Sequence, residues 1–269
     1  MILYNLFVTL LVYSLFQQCQ NNNRNTDLRI TTHENHYSSY TPDSLAHMDT
    51  SLTYIMGKFN PEEHAGFVEV DTMYADRKGL FLREDTYEAF QQMFDHALKD
   101  GVRLTIRSAT RNFTYQKGIW ERKWKGETKL NGGMAATEIQ NPVTRALTIL
   151  KYSSMPGTSR HHWGTDIDLN AFNNTYFSSG DGLKLYNWLQ ENAHSYGFCQ
   201  PYTKKDDRRD SGYEEEKWHW SYLPVSRVLT NQAREYLEES MITGFLGSET
   251  ASEIQVVEKY VLGINPDCL

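Results

Sequence analysis

The chain has 269 residues, 39% of them hydrophobic and 23% charged, with a formal net charge of −7. That composition fits one globular domain with extensions. It carries no Lys/Arg-rich block, so it excludes a nucleic-acid-binding module, which needs clustered cations to neutralise phosphates; no nucleic-acid partner is expected.

At the N-terminus an apolar run spans Leu6 to Phe16. It is short for a membrane span and sits where a secretory core segment belongs. Residues 1–19 therefore read as a signal peptide or a lipoprotein signal. Cys19 is then either an acylated membrane anchor or a free thiol in a discarded leader. Residues 20–53 are rich in Asn, Thr, Ser and His without helical or strand periodicity, and read as a polar tether. His33, His36 and His47 are expected to be solvated there. Export to the periplasm or cell envelope follows as the expected localisation. Cys199 and Cys268 either pair in that oxidising setting or remain two thiols.

The folded part is expected from Tyr54. Asp85 followed by Glu88 resembles a capping box, and Phe90, Met93, Phe94, Ala97 and Leu98 follow at helical spacing up to Gly101. "VRLTIRS" alternates, with Val102, Leu104 and Ile106 on one face of a strand. "RNFTYQKGIWERKW" reads as a second helix. Asn141-Pro142 opens a third, ending before Pro156. "GTDIDL" reads as a strand, Leu183 to Tyr196 as a helix closed by Gly197, and "EKWHWSYL" as a strand. Pro224 opens a helix to about Ser240, and residues 248–262 form a last amphipathic helix. Helices and strands mix without βαβ repeats. The fold class is α+β: a small central antiparallel sheet flanked by helices, with residues 54–240 as the main domain and 241–269 as a C-terminal helical extension.

Two stretches carry chemistry. "SRHHWGTDIDL" places His161 and Asp168 seven positions apart, with Gly164 between them to turn the chain. "EEEKWHWSY" adds His219. Two imidazoles and a carboxylate suit zinc, and three protein ligands leave the open position of a catalytic site. Glu216 is the candidate general base. In a regular strand it points away from the His219 side, so it must lie at a bend before the strand. Trp218 and Trp220 are then expected to face away from His219, packing behind the site. His162 is expected to pack beside the site or support a ligand, because a fourth protein ligand closes the catalytic position. Glu214 and Glu215 read as a solvated acidic loop. His64, His96 and His194 have no metal-like context.

Ser159-x-His161-x-x-Gly164-x-x-x-Asp168, followed by Glu216-x-Trp218-His219, resembles the zinc D-alanyl-D-alanine carboxypeptidase and dipeptidase family of VanY/VanX type, over about residues 80–225. The resemblance implies the fold shared with hedgehog signalling domains. It implies one zinc ion per chain, held by His161, Asp168 and His219, with Glu216 as base toward a zinc-activated water. The segment "SATRNFTYQ" resembles the family's "SGYRSxxxQ". Arg111 then matches the residue for substrate carboxylate or oxyanion, and its fixed charge and planar fork suit either. Gln116 matches a peptide-holding residue, and Ser159 the serine at the substrate's C-terminal side. The implied substrates are peptidoglycan stem peptides ending in D-alanine, cut by a monomer. The cut releases one D-alanine, releases a dipeptide, or opens a crosslink; a non-catalytic binding module is the other reading. Asp166 departs from the family, which usually has a small residue there. It either orients a ligand histidine, meets a substrate amine, or competes for the metal. Ala109-Thr110 replaces the usual Gly-Tyr.

Overall fold

The computed structural model describes residues 48–130 and 132–269. The expectations for the leader, Cys19, the tether histidines and most of the tether lie outside those residues.

The elements in chain order are α1 (Leu52–Ile55), β1 (Phe67–Glu69), β2 (Phe81–Arg83), α2 (Glu84–Lys99), β3 (Ile106–Ser108), α3 (Phe113–Trp124), α4 (Pro142–Ile149), β4 (Asp166–Leu169), α5 (Gly180–Asn192), β5 (Phe198–Cys199), β6 (His219–Tyr222), α6 (Leu223–Tyr236) and α7 (Ala251–Ile254). Strands β1 and β2 form a hairpin. The other four form an antiparallel sheet in the order β3-β4-β6-β5. This is the expected α+β architecture.

The helices follow their sequence signals. In α2, Phe90, Met93, Phe94 and Ala97 are buried at the predicted spacing. Asn112 caps α3 by accepting from the Tyr115 N–H, and Asn141 caps α4 by accepting from the Thr144 N–H, as Asn does at this position. The capping box at Asp85 does not form. Helix α2 begins at Glu84, and Asp85 instead accepts from Arg83 and from the Thr86 N–H. The ion pair with Arg83 competes for the carboxylate that a cap needs.

The strands are shorter than their patterns. Val102 and Leu104 are buried as predicted, but ladder pairing begins only at Ile106. The last predicted helix, 248–262, is broken. Gln255 adopts φ 57°, and the chain passes from α7 through this left-handed residue into a wider turn at Val257–Val261. Residues 241–269 also join the core: Ile242, Ala251, Ile254, Val256, Val261 and Cys268 are all buried. Cys199 and Cys268 form a disulfide that ties the C-terminal segment to β5.

Register positions the site. Asp166 pairs with Ser221, Ile167 with Trp220 and Asp168 with His219 across the central strands β4 and β6. Directly opposed residues share a face, so Asp166, Asp168, His219 and Ser221 point one way while Ile167 and Trp220 point the other. Both faces are covered, and all eight residues of β4 and β6 are buried.

Candidate metal centre

His161 comes from a short 3₁₀ turn, Arg160–Trp163, that ends at Gly164 with φ 73°. A side chain at 164 has no room, since a Cβ would stand 2.4 Å from the Phe67 ring. Glycine therefore lets the chain reverse from the turn into β4. The turn is tied to the segment after β3. The Arg111 N–H donates to the His161 carbonyl at 3.1 Å, and His161 Nδ1 lies 2.8 Å from the Ala109 carbonyl. A carbonyl only accepts, so Nδ1 carries the proton and Nε2 presents its lone pair.

His219 is fixed the other way round. Its Nε2 lies 2.8 Å from Asp166 Oδ1, which leaves Nδ1 facing Asp168 Oδ1 at 3.2 Å and Glu216 Oε2 at 3.4 Å. Asp168 Oδ2 lies 3.3 Å from His161 Nε2. One donor atom from each of His161, Asp168 and His219 lies within 4.8 Å of the others. The predicted triad is thus brought together.

Among the described residues, His161 Nε2 and Asp168 Oδ1 are buried without a hydrogen-bond partner. Leaving a buried polar atom unpaired costs about 1–3 kcal/mol. Two such atoms aimed at one point, in a His/Asp/His set, fit a metal ion. The electrostatics agree. Burial pushes His219 down, but the carboxylates of Asp166, Asp168 and Glu216 hold it well above the usual histidine range, so this point favours positive charge. Burial and the Arg111 guanidinium push His161 down and keep it neutral, the form a metal binds.

Asp166 resolves as support for His219. Its carboxylate takes His219 Nε2, Arg160 Nε at 3.2 Å, Thr165 Oγ1 at 2.5 Å and Ser221 Oγ at 3.0 Å. Burial pushes this carboxyl up, yet Arg160 and His219 together hold it below the usual range. Arg160 is fully buried, donates also to Thr230 and Ser221, and lies over the Trp163 ring. Sequence reasoning missed Arg160. Its signal is an arginine inside an otherwise buried motif, where arginine is rarely found without a partner.

Glu216 sits in the predicted bend, where the His219 N–H donates to its carbonyl at 3.2 Å and its own N–H donates to the Tyr202 carbonyl at 2.9 Å. It is buried, and burial raises its carboxyl above the ordinary value. Arg111 donates from Nε to Gln116 Oε1 at 3.0 Å and from Nη1 to Ser108 Oγ at 2.6 Å, and it reaches Asp168 Oδ2 at 3.3 Å. Gln116 in turn donates to the Ser154 carbonyl at 2.8 Å, so both ends of its amide position Arg111. His162 points away from the triad. Its Nε2 accepts from the Gly157 N–H at 3.0 Å and its Nδ1 contacts the Arg111 carbonyl. Burial pushes it to about 3, a neutral strut between two site loops.

Triad, Glu216, Arg111 and Gln116 line a cavity of about 260 Å³ with Lys123, Tyr152, Trp218 and the rim residue Phe172. Two expectations change. Trp218 lines this cavity beside His219 rather than facing away, because strand alternation starts only at His219, after the bend. Ser159 is not among the lining residues: it heads the 3₁₀ turn, 1% exposed, with its hydroxyl unpartnered. Ser153 and Ser154 line the cavity instead.

Comparison with known proteins matches residues 79–225 to the family profile VanY, D-alanyl-D-alanine carboxypeptidase. The chain is 30% identical over 190 residues to the YodJ protein of Bacillus subtilis, covering 68% of this chain and 61% of that protein. It is 31% identical over 135 residues to a D-alanyl-D-alanine carboxypeptidase of Enterococcus faecalis, covering 50% of this chain and 46% of that protein. The chain therefore spans less than two thirds of the length of either relative. A solved zinc(II) complex of a vancomycin-resistance D,D-pentapeptidase VanY variant aligns with TM-score 0.44 at 23% identity, covering 71% of this chain and 92% of that chain.

Proposed function

Because the chain belongs to the VanY D-alanyl-D-alanine carboxypeptidase family, we propose that it is an exported zinc metallopeptidase that removes D-alanine from the free ends of peptidoglycan stem peptides. The observation that carries this reading is the pair of orphaned donors, His161 Nε2 and Asp168 Oδ1, converging with His219 beside a buried Glu216. His161, Asp168 and His219 hold one zinc ion per chain. The bound metal supplies Lewis acidity toward the scissile carbonyl and makes water acidic near neutrality.

The chain's own groups do the rest. Glu216 takes a proton from the attacking water and delivers it to the leaving amine nitrogen, and its raised carboxyl brings it nearer the balance that both transfers need. Arg111 is held by Ser108, Gln116 and Asp168, so it meets the developing oxyanion without reorganising. Asp166 keeps the His219 ring oriented. The Cys199–Cys268 disulfide supports an oxidising compartment outside the cytosol.

The test is incubation of the zinc-loaded protein with defined muropeptides, with and without a chelator, read by mass spectrometry. The expected product is the substrate shortened by one D-alanine, abolished by the chelator. A product shortened by two residues or an opened crosslink moves the cut; no chelator-sensitive product contradicts the reading.

A further inference from the structure

Glu216 must present its carboxylate at one point, yet no helix or strand carries it. Residues 214–216 belong to neither, and β6 starts only at His219. Backbone outside regular structure must find other partners for its N–H and C=O groups. Around Glu216 those partners are two side-chain amides from distant loops.

Asn174, in the loop after β4, brackets Glu216 from both sides. Its Nδ2 donates to the Glu215 carbonyl at 2.8 Å, and its Oδ1 accepts from the Lys217 N–H at 3.1 Å. Gln200, directly after β5, reaches Glu216 itself. Its Nε2 donates to the Glu216 carbonyl at 3.1 Å and to the Tyr202 carbonyl at 3.2 Å. The Tyr202 carbonyl also accepts from the Glu216 N–H at 2.9 Å. A carbonyl only accepts and a backbone N–H only donates, so these partners fix the orientation of both amides.

Gln200 is 4% exposed. Its Oε1 accepts from Tyr186 Oη at 3.0 Å and from Gln190 Nε2 at 2.9 Å, so its amide makes all four of its bonds. Its backbone is anchored as well. Asn265 Nδ2 donates to the Gln200 carbonyl at 3.2 Å, the Asn265 N–H donates to the Pro201 carbonyl at 2.8 Å, and Cys199 is bridged to Cys268. A buried network with every member paired is rigid. Asn174 is half-buried and its amide makes two bonds here. Neither residue is among those lining the cavity.

Resting on the peptidase reading, we propose that Gln200 and Asn174 are positioning residues for the general base: their amides fix the bend that holds the Glu216 carboxylate 3.4 Å from His219 Nδ1. The three ligands are held separately, by the pairing of β4 with β6 and by the turn that carries His161. Loss of either amide should therefore displace the base and spare the metal. A displacement of about 1 Å is enough to cost about 10²-fold in rate.

The experiment compares zinc-loaded wild type, Gln200→Leu, Asn174→Ala and Asn174→Asp. Each is measured for kcat and KM on defined muropeptides, for retained zinc, and for amide exchange at Glu216 and Lys217 by NMR. Gln200→Leu should lower kcat by about 10–100-fold, with KM and zinc content near wild type and faster exchange at Glu216. Asn174→Ala should do the same more weakly, with faster exchange at Lys217. Asn174→Asp keeps the acceptor for Lys217 and loses the donor to Glu215, so its kcat should lie between Asn174→Ala and wild type. Should Gln200→Leu fail to fold, the two Asn174 variants decide. A kcat unchanged by these substitutions overturns the proposal, as does a loss confined to KM or one that follows lost zinc. Failure of the peptidase reading looks different: wild type hydrolyses none of the peptides. Amide exchange then still decides whether the two amides hold the bend, and exchange unchanged by their removal overturns the brace.

Discussion

Two clusters of polar side chains meet at His219, one at each ring nitrogen, and they obey opposite rules. Behind Nε2, Asp166 accepts from His219, Arg160, Thr165 and Ser221, and Arg160 reaches on to Thr230. In front of Nδ1, His161 Nε2 and Asp168 Oδ1 are buried without a hydrogen bond, with only close charged neighbours, Asp168 Oδ2 at 3.3 Å and His219 Nδ1 at 3.2 Å. A buried network whose members are all paired is rigid support; a half-paired one is unfavourable unless something else fills it. The contrast separates scaffold from ligand set within a single patch of sheet.

The largest expected effect lies on the open side. Glu216→Gln should lower turnover by about 10²–10⁴-fold, the usual contribution of a general acid–base group, while zinc content and melting temperature stay at wild-type values. Hydrolysis at the wild-type rate removes Glu216 from the role. On the closed side the effect should fall on stability instead. Arg160→Met leaves the Asp166 charge buried without its partner and should cost about 3–5 kcal/mol in urea unfolding. The pH dependence has a definite sign. The Asp166 carboxyl is held below its unfolded value, so its contribution is complete above that unfolded value and is lost as pH falls toward the folded one. Wild type should therefore lose stability on acidification through this range, and Arg160→Met should show a smaller acid loss. Equal stability of the two proteins from neutral pH downward would erase the distinction between the clusters.

Smaller effects should appear further out. Replacing both Cys199 and Cys268 by Ser should destabilise the fold by about 2–4 kcal/mol and leave zinc stoichiometry intact, because the disulfide anchors an edge strand rather than a ligand.

The open side was legible in the sequence and the closed side was not. His161, Asp168, His219 and Glu216 are chemically specific residue types at fixed spacings, and β-pairing brings Asp168 directly opposite His219. For Asp166 the sequence left three roles open, orienting a ligand histidine among them; what selects that role is Arg160, Ser221 and Thr230, which converge from three elements with no periodicity to announce them. Trp218 was assigned to the wrong face because strand alternation was extended through a bend, and Ser159 heads the 3₁₀ turn rather than lining the cavity. The helix at 248–262 had an amphipathic pattern, but burial of Val256, Val257 and Val261 against the domain is satisfied by a chain that breaks at Gln255.

The central claim is that the unpaired donors form one metal site. Its direct test is zinc content by plasma mass spectrometry after loading and exhaustive dialysis of wild type, Glu216→Gln, His161→Ala and Asp168→Ala. The account predicts one zinc per chain in the first two proteins and loss of retained zinc in the last two. Wild type without bound zinc, or alanine variants that retain as much as wild type, would contradict it.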